Sequence, residues 1–153
     1  MKETTAHPVK SLSDPIETLV VKQAITEVLH RYCYAVDRID ADLGAQIWHP
    51  DGMAYYDGIF EGTGQDFMQW VLETHRGVDA TSHQLTNVLI DVDGERAGSE
   101  SYVTACIRSG GTDIVARGRY QDSWSRRSGE WRIDERRYCH DIAQTLPVND
   151  RQS

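Results

Sequence analysis

Asp37 lies in the stretch HRYCYAVDRID, where an apolar stripe runs out beside Cys33, Tyr34 and Val36. One reading is a solvated carboxylate near a helix C-terminus, mildly unfavourable against the helix dipole. The other is a tucked-in carboxylate, which needs a hydrogen-bonded partner to stay charged. A histidine is a suitable partner. A carboxylate on one ring nitrogen fixes the tautomer and raises the basicity of the other nitrogen, the makings of a general base. His83 opens the first long strand pattern, and strict alternation puts Leu85, Asn87 and Leu89 on its face. That mixture suits an apolar cavity with a few inward polar groups. A strand-end histidine half in water, or bonded to a backbone carbonyl, fits the same pattern.

Three tyrosines extend the inventory. Tyr32 sits on the apolar stripe five positions before Asp37, and Tyr55 and Tyr56 are adjacent in a strand, so one faces inward and the other outward. Core packing with a hydroxyl at a wet edge is the ordinary role of a tyrosine. In an apolar site the same hydroxyl can polarise a carbonyl or protonate a departing oxygen.

Other chemistries find less support. The histidines at 7, 30, 49, 75, 83 and 140 form no HxH or HExxH pair, so no metal site is predicted. Cys139, His140 and Asp141 are consecutive in a strand pattern and point to opposite faces, which rules out a convergent triad. The GTG at 62–64 lacks both the lysine and the strand–helix frame of a phosphate loop.

The elements that must position these groups follow from periodicity. Asp14 is an N-cap, Pro15 fits the first helical position and Glu17 completes a capping box. Apolar residues then keep mostly helical spacing from Ile16 to Val36, predicting one long helix that ends near Asp37. A short helix over 42–48 is expected to stop at Pro50, and MAYYDGIFEG reads as a strand–turn pair. DFMQWVLETHRG places Phe67, Val71 and His75 on one side, with Gly77 as C-cap. After residue 80 the period becomes two, with breaks at Asp93-Gly94, Gly110-Gly111 and Ser128-Gly129. Helices followed by a four-stranded antiparallel meander define an α+β class, with a curved sheet wrapped on the helices.

Composition narrows the partners. A chain of 153 residues suits one domain, here 14–145, flanked by a polar mobile tail at 1–13 and a C-terminal tail at 146–153. The formal net charge is -8 and no Lys/Arg cluster exists, which argues against nucleic acid. The longest aliphatic run near the start is LVV, so no signal peptide or membrane span is expected. Three cysteines without a CxxC leave one unpaired in any disulfide scheme, which suits free thiols in a reducing cytoplasm.

The stretches RYCYAVDRIDADLGAQIWHPDG, SHQLTNVLIDVDGERAGSESYV, GRYQDSW and GEWRIDERR resemble, in order and spacing, the SnoaL-like branch of the nuclear-transport-factor-2-like superfamily. Scytalone dehydratase, bile-acid 7α-dehydratase and hexachlorocyclohexane dehydrochlorinase belong to that neighbourhood. The likeness covers about Pro15 to Ile142. It implies a cone-shaped α+β barrel in which three helices close a strongly curved, mixed but mainly antiparallel sheet around an apolar pocket. It further implies an Asp-His dyad at Asp37 and His83, supported by Tyr32 and by Tyr55 or Tyr56. An inward arginine is implied at Arg136 or Arg137. The expected pocket lining is Trp48, Tyr56, Phe60, Phe67, Asn87 and Arg136, with Tyr55 as the expected catalytic tyrosine beside Tyr32. A second pocket histidine known in scytalone dehydratase has no counterpart by alignment; Cys106 or Arg108 occupies that neighbourhood. The implied activity is a dehydratase-type elimination without cofactor on a small apolar cyclic substrate such as a steroid, polyketide or aromatic metabolite. Isomerisation by the same dyad, or a non-catalytic ligand-binding or oxygenase small-subunit role, are the alternatives. The resemblance also implies a homo-oligomer, a trimer favoured over a dimer.

Overall fold

A computed structural model describes residues 14–148. Helix α1 spans Pro15–Arg38; the Asp14 side chain accepts from the Ile16 N–H and Ile39 closes the helix in a left-handed conformation, φ 55°. The buried stripe of α1 is Val21, Ile25, Val28, Leu29, Tyr32, Cys33, Ala35 and Val36, whereas Ile16, Leu19 and Val20 near its start stay exposed. Helix α2 is shorter than expected, Ala41–Gly44, capped by Asp40. Trp48 therefore leaves the helix and opens strand β1, Trp48–Tyr56. Pro50 is accommodated there because the pairing register shifts between Trp48 and Met53, at a bulge where no ladder N–H is needed. Strand β2 is Phe60–Thr63 and helix α3 is Gly64–Arg76, N-capped by Thr63 and ended at Gly77.

Four long strands follow: β3 Ala80–Asp93, β4 Arg96–Ser109, β5 Thr112–Arg127 and β6 Glu130–Pro147. The hairpin after β4 turns on Gly110 and Gly111, and that after β5 on Ser128 and Gly129, all at positive φ as tight primed turns require. The order is β2-β1-β6-β5-β4-β3; β1 and β6 are parallel and every other pairing is antiparallel. The sheet is mixed and open, and β6 carries on past residue 145 to Pro147. The tail expected at 1–13 and residues 149–153 lie outside the described residues.

Bulges give the sheet its concavity. The register shifts within the β3–β4 pair between Thr86 and Leu89, and within the β5–β6 pair at two places, between Arg117 and Gly118 and between Ser123 and Trp124. Each extra residue bends its strand and strengthens the local twist. The concave face meets α1 and α3 through Trp48, Ala54, Tyr56, Val103, Tyr120, Trp124 and Ile133 on the sheet and Ile25, Leu29, Val36, Phe67 and Leu72 on the helices, all buried. Burying each large side chain of this set contributes roughly 1.5–3 kcal/mol. The Trp48 indole rests on the first turn of α3, where a Cβ on Gly64 would lie 2.1 Å from Trp48 Cγ. Only glycine permits that approach.

Candidate active site

Asp37 belongs to the last turn of α1, and β3 starts against it. Its Oδ1 stands 2.7 Å from His83 Nδ1, its Oδ2 accepts the His83 backbone N–H at 2.8 Å, and Thr81 Oγ1 donates to Oδ1 at 3.0 Å. Burial works against the charge on Asp37. The His83 ring, the His83 N–H and the Thr81 hydroxyl outweigh it and hold the carboxyl below its usual range. The contact places the proton of a neutral His83 on Nδ1 and leaves Nε2 as the basic nitrogen. The His83 side chain is 6% exposed and Asp37 24%. A groove of about 300 Å³, lined by His30, Cys33, Tyr34, Asp37, His83 and Leu85, opens onto the pair.

Behind the dyad the cone is filled by aromatic rings around a buried cation. Tyr32 packs edge-on to His83 at 6.4 Å and to Trp48 at 5.9 Å. Its hydroxyl lies 3.3 Å from that of Tyr56 and 3.4 Å from that of Tyr120. These contacts are longer than the ~2.7–2.8 Å typical of paired hydroxyls, so the three are loosely tied. Burial pushes all three phenols well above their ordinary range and keeps them as donors. Arg136 is fully buried and forks onto Asp122 through Nε at 2.7 Å and Nη2 at 2.8 Å. Its guanidinium lies 4.0 Å from the Tyr120 ring centre and 4.5 Å from that of Tyr32. Burial opposes its charge, yet Asp122 prevails and holds Arg136 firmly protonated. Nη1 of Arg136 and Nε1 of Trp48 are buried without a protein partner.

The structure brings together Asp37, His83, Tyr32, Tyr56, Trp48, Phe67 and Arg136, and Phe60 joins them at the edge, 5.4 Å from Phe67. It settles two parities. Tyr56 points inward, stacked on Phe67 at 4.2 Å; Tyr55 points to the convex side beneath Arg137, 4.4 Å from its ring centre. Tyr55 therefore does not reach the dyad, because the pleat that buries Ala54 and Tyr56 turns it out. Arg136 is inward and Arg137 outward, paired with Glu135 at 2.9 Å. Asn87 is a second correction. It takes a left-handed conformation, φ 50°, in the β3 bulge, so it is exposed and the alternation slips by one. Val88 and Ile90 turn inward in place of Leu89, which is 74% exposed. Cys139, His140 and Asp141 diverge, as their alternation requires: His140 meets Tyr138 and Asp141 meets Arg119.

Four site neighbours are not singled out by sequence reasoning. Tyr120, Asp122 and Tyr138 come from β5 and β6, and nothing local marks them as inward. His75 carries a signal: it shares the α3 stripe of Phe67 and Val71, an odd place for an imidazole. It is buried, with its ring 5.5 Å from that of His83. Among the described residues no group of three or more metal-ligating side chains exists, and no helix is long and apolar enough to cross a membrane.

An open cone with an Asp-His pair at its helix–strand seam defines a class. The SnoaL-like domain family matches residues 17–137, and the chain belongs to that family. Comparison with curated proteins gives no match. Among solved structures, a scytalone-dehydratase-like protein of Novosphingobium aromaticivorans is 25% identical, with a TM-score of 0.78 over 89% of this chain and 94% of that one. Hexachlorocyclohexane dehydrochlorinase LinA-type3 of Novosphingobium barchaimii is 18% identical, TM-score 0.78, covering 87% of this chain and 94% of its own, a likeness of fold. A single-residue variant of Rv3472 of Mycobacterium tuberculosis, a protein of unknown function, is 26% identical, TM-score 0.74, covering 85% and 78%.

Proposed function

We propose that the protein is a cofactor-independent lyase that eliminates water from a small apolar cyclic substrate, with His83 as base and Asp37 as its orienting carboxylate. The observation that carries this reading is the double grip of Asp37 on the His83 ring and backbone. That grip leaves Nε2 basic, and the groove that His83 helps to line is large enough for part of a small ligand.

In the proposed reaction Nε2 of His83 takes a proton from carbon next to a carbonyl. The electron pair moves into an enolate whose oxygen is held by the hydroxyls of Tyr32 and Tyr56, with the Arg136 charge behind them. The enolate then collapses to a carbon–carbon double bond as the β carbon–oxygen bond breaks. The departing hydroxide takes the proton back from His83 and leaves as water, and the imidazole returns to its neutral form. Acid–base catalysis of this kind typically supplies ~10²–10⁴ in rate. The dehydratase-like neighbour at 25% identity supports elimination over other uses of the dyad. We further propose a homotrimer, which light scattering would test.

The test follows product absorbance on a panel of cyclic β-hydroxy ketones and hydroxysteroids with wild type and His83→Ala. Turnover confined to the wild type supports the lyase; equal turnover in both removes His83 as the base. Binding without turnover by either form would leave a ligand-holding module.

A further inference from the structure

Thr81 has no part in the reaction above, yet its side chain meets the dyad. It lies two positions before His83, so the pleat puts both side chains on one face of β3, and it is half-buried there. The strand is anchored just ahead of it. The Asp79 N–H donates to the Arg108 carbonyl at 2.9 Å, and Asp79 Oδ2 accepts the Gly110 N–H at 3.0 Å. The Thr81 hydroxyl donates to Asp37 Oδ1 at 3.0 Å, the same oxygen that meets His83 Nδ1 at 2.7 Å. Oδ2 is taken by the His83 backbone N–H at 2.8 Å. One carboxylate at the end of α1 is thus held from the single stretch Thr81–His83.

The backbone bond fixes Oδ2 but leaves the carboxylate free to turn about that contact and carry Oδ1 away from the ring. A second donor on Oδ1 removes this freedom, and a β-branched side chain supplies it from a stiff χ1. We propose that Thr81 is the positioning residue of the dyad: its hydroxyl pins Asp37 Oδ1 against His83 Nδ1 and keeps the Nδ1 proton on the ring. The effect on rate rests on the lyase reading; the effect on the carboxylate does not. When Nε2 takes up the substrate proton, an Oδ1 that already accepts the Thr81 hydrogen bond is the poorer base. The imidazolium therefore keeps its Nδ1 proton and returns the one on Nε2 to the departing oxygen. Burial pushes the Asp37 carboxyl up, and the ring and N–H of His83 with the Thr81 hydroxyl pull it below its usual range. The other titratable groups about the pair are His30, Tyr32, Cys33 and Tyr34 on α1 and His75 on α3, and Arg38 lies over the Tyr34 ring at 4.4 Å. Strand β4 sets Ala105 opposite His83 and Ile107 opposite Thr81, neither of which titrates. Thr81 acts through Asp37, not on the substrate.

The test compares Thr81→Val, which keeps the shape and removes the donor, with Thr81→Ser, which keeps the donor. The Asp37 carboxyl is followed by ¹³C NMR against pH. Its midpoint should rise in Thr81→Val and stay at the wild-type value in Thr81→Ser. On a substrate found in the panel above, kcat of Thr81→Val should fall about five- to tenfold, the worth of one neutral hydrogen bond, with KM unchanged. Thr81→Ser should recover most of that loss. An unmoved midpoint in Thr81→Val, a kcat equal to wild type, a loss confined to KM, or an equal loss in Thr81→Ser would each overturn the assignment. Should Thr81→Val not fold, the Thr81 Cβ resonance of the wild type decides: it titrates with the Asp37 midpoint, and a resonance flat through that midpoint overturns the proposal. Failure of the lyase reading registers separately, as His83→Ala turnover equal to wild type, or none in either, while the Asp37 midpoint still rises in Thr81→Val.

Discussion

Asp37 holds His83 twice, by the backbone N–H at 2.8 Å and by the ring at 2.7 Å, so one carboxylate both docks β3 on the end of α1 and sets the histidine tautomer. Asp37→Asn keeps an oxygen for the backbone bond and removes the charge. Turnover of a substrate found in the panel above should fall about 10²–10⁴-fold. The melting temperature should move by only a few degrees. A loss of rate no larger than tenfold in steady-state kinetics would contradict the role of the charge.

Stability should fall in two separate acid windows. His75 is held below the ordinary histidine value near 6.5. The unfolded chain therefore binds a proton that the folded chain refuses, and stability declines as pH drops from about 6.5 toward the lowered value. Asp37 is held below the ordinary carboxylate range, so its contribution is complete above ~3.9 and is lost as pH falls through its folded value. Urea midpoints measured from pH 7.5 to 3 should show both slopes. His75→Phe should flatten the upper one, and an unchanged upper slope would show that His75 does not titrate on unfolding.

Arg136 and Asp122 form a bidentate pair with both side chains at 0% exposure. Arg136→Met leaves an uncompensated buried carboxylate, and denaturation should report a loss of about 3–5 kcal/mol. Replacing Asp122 by Leu in the same chain should recover much of that loss, because the pair is costly to break and less costly to remove whole. A double variant no more stable than the single one would show that the cation's contacts with Tyr120 and Tyr32 matter more than its charge partner.

Cys33 lies in the groove beside Asp37, and burial pushes its thiol up to about 12. Cys106 and Cys139 are partly exposed. At pH 8 a thiol-specific reagent should modify Cys106 and Cys139 much faster than Cys33, since the thiolate is the reacting form. Mass spectrometry of partly labelled protein with Cys33 modified first would contradict this.

Much of the architecture was readable in the linear chain because its signals are local. Asp14 and Pro15 start α1, Gly110-Gly111 and Ser128-Gly129 turn the hairpins, and alternation separates Tyr55 from Tyr56 without saying which is inside. The pairing of Asp37 with His83 was open as one of two readings in the residues themselves, and the family resemblance pointed to it. The tertiary structure decided what depends on non-local pairing. The bulge at Asn87 shifts parity, sending Asn87 and Leu89 outward, because a strand has period two and one extra residue exchanges its faces. The inward choice of Tyr56 and Arg136 depends on the register of β1 against β6, which brings Ala54 opposite Arg136. The approach of His75 to His83 depends on how α3 seats against α1 and β1 while β3 lies against α1, and no spacing along the chain encodes a distance between elements that meet only when the sheet curls.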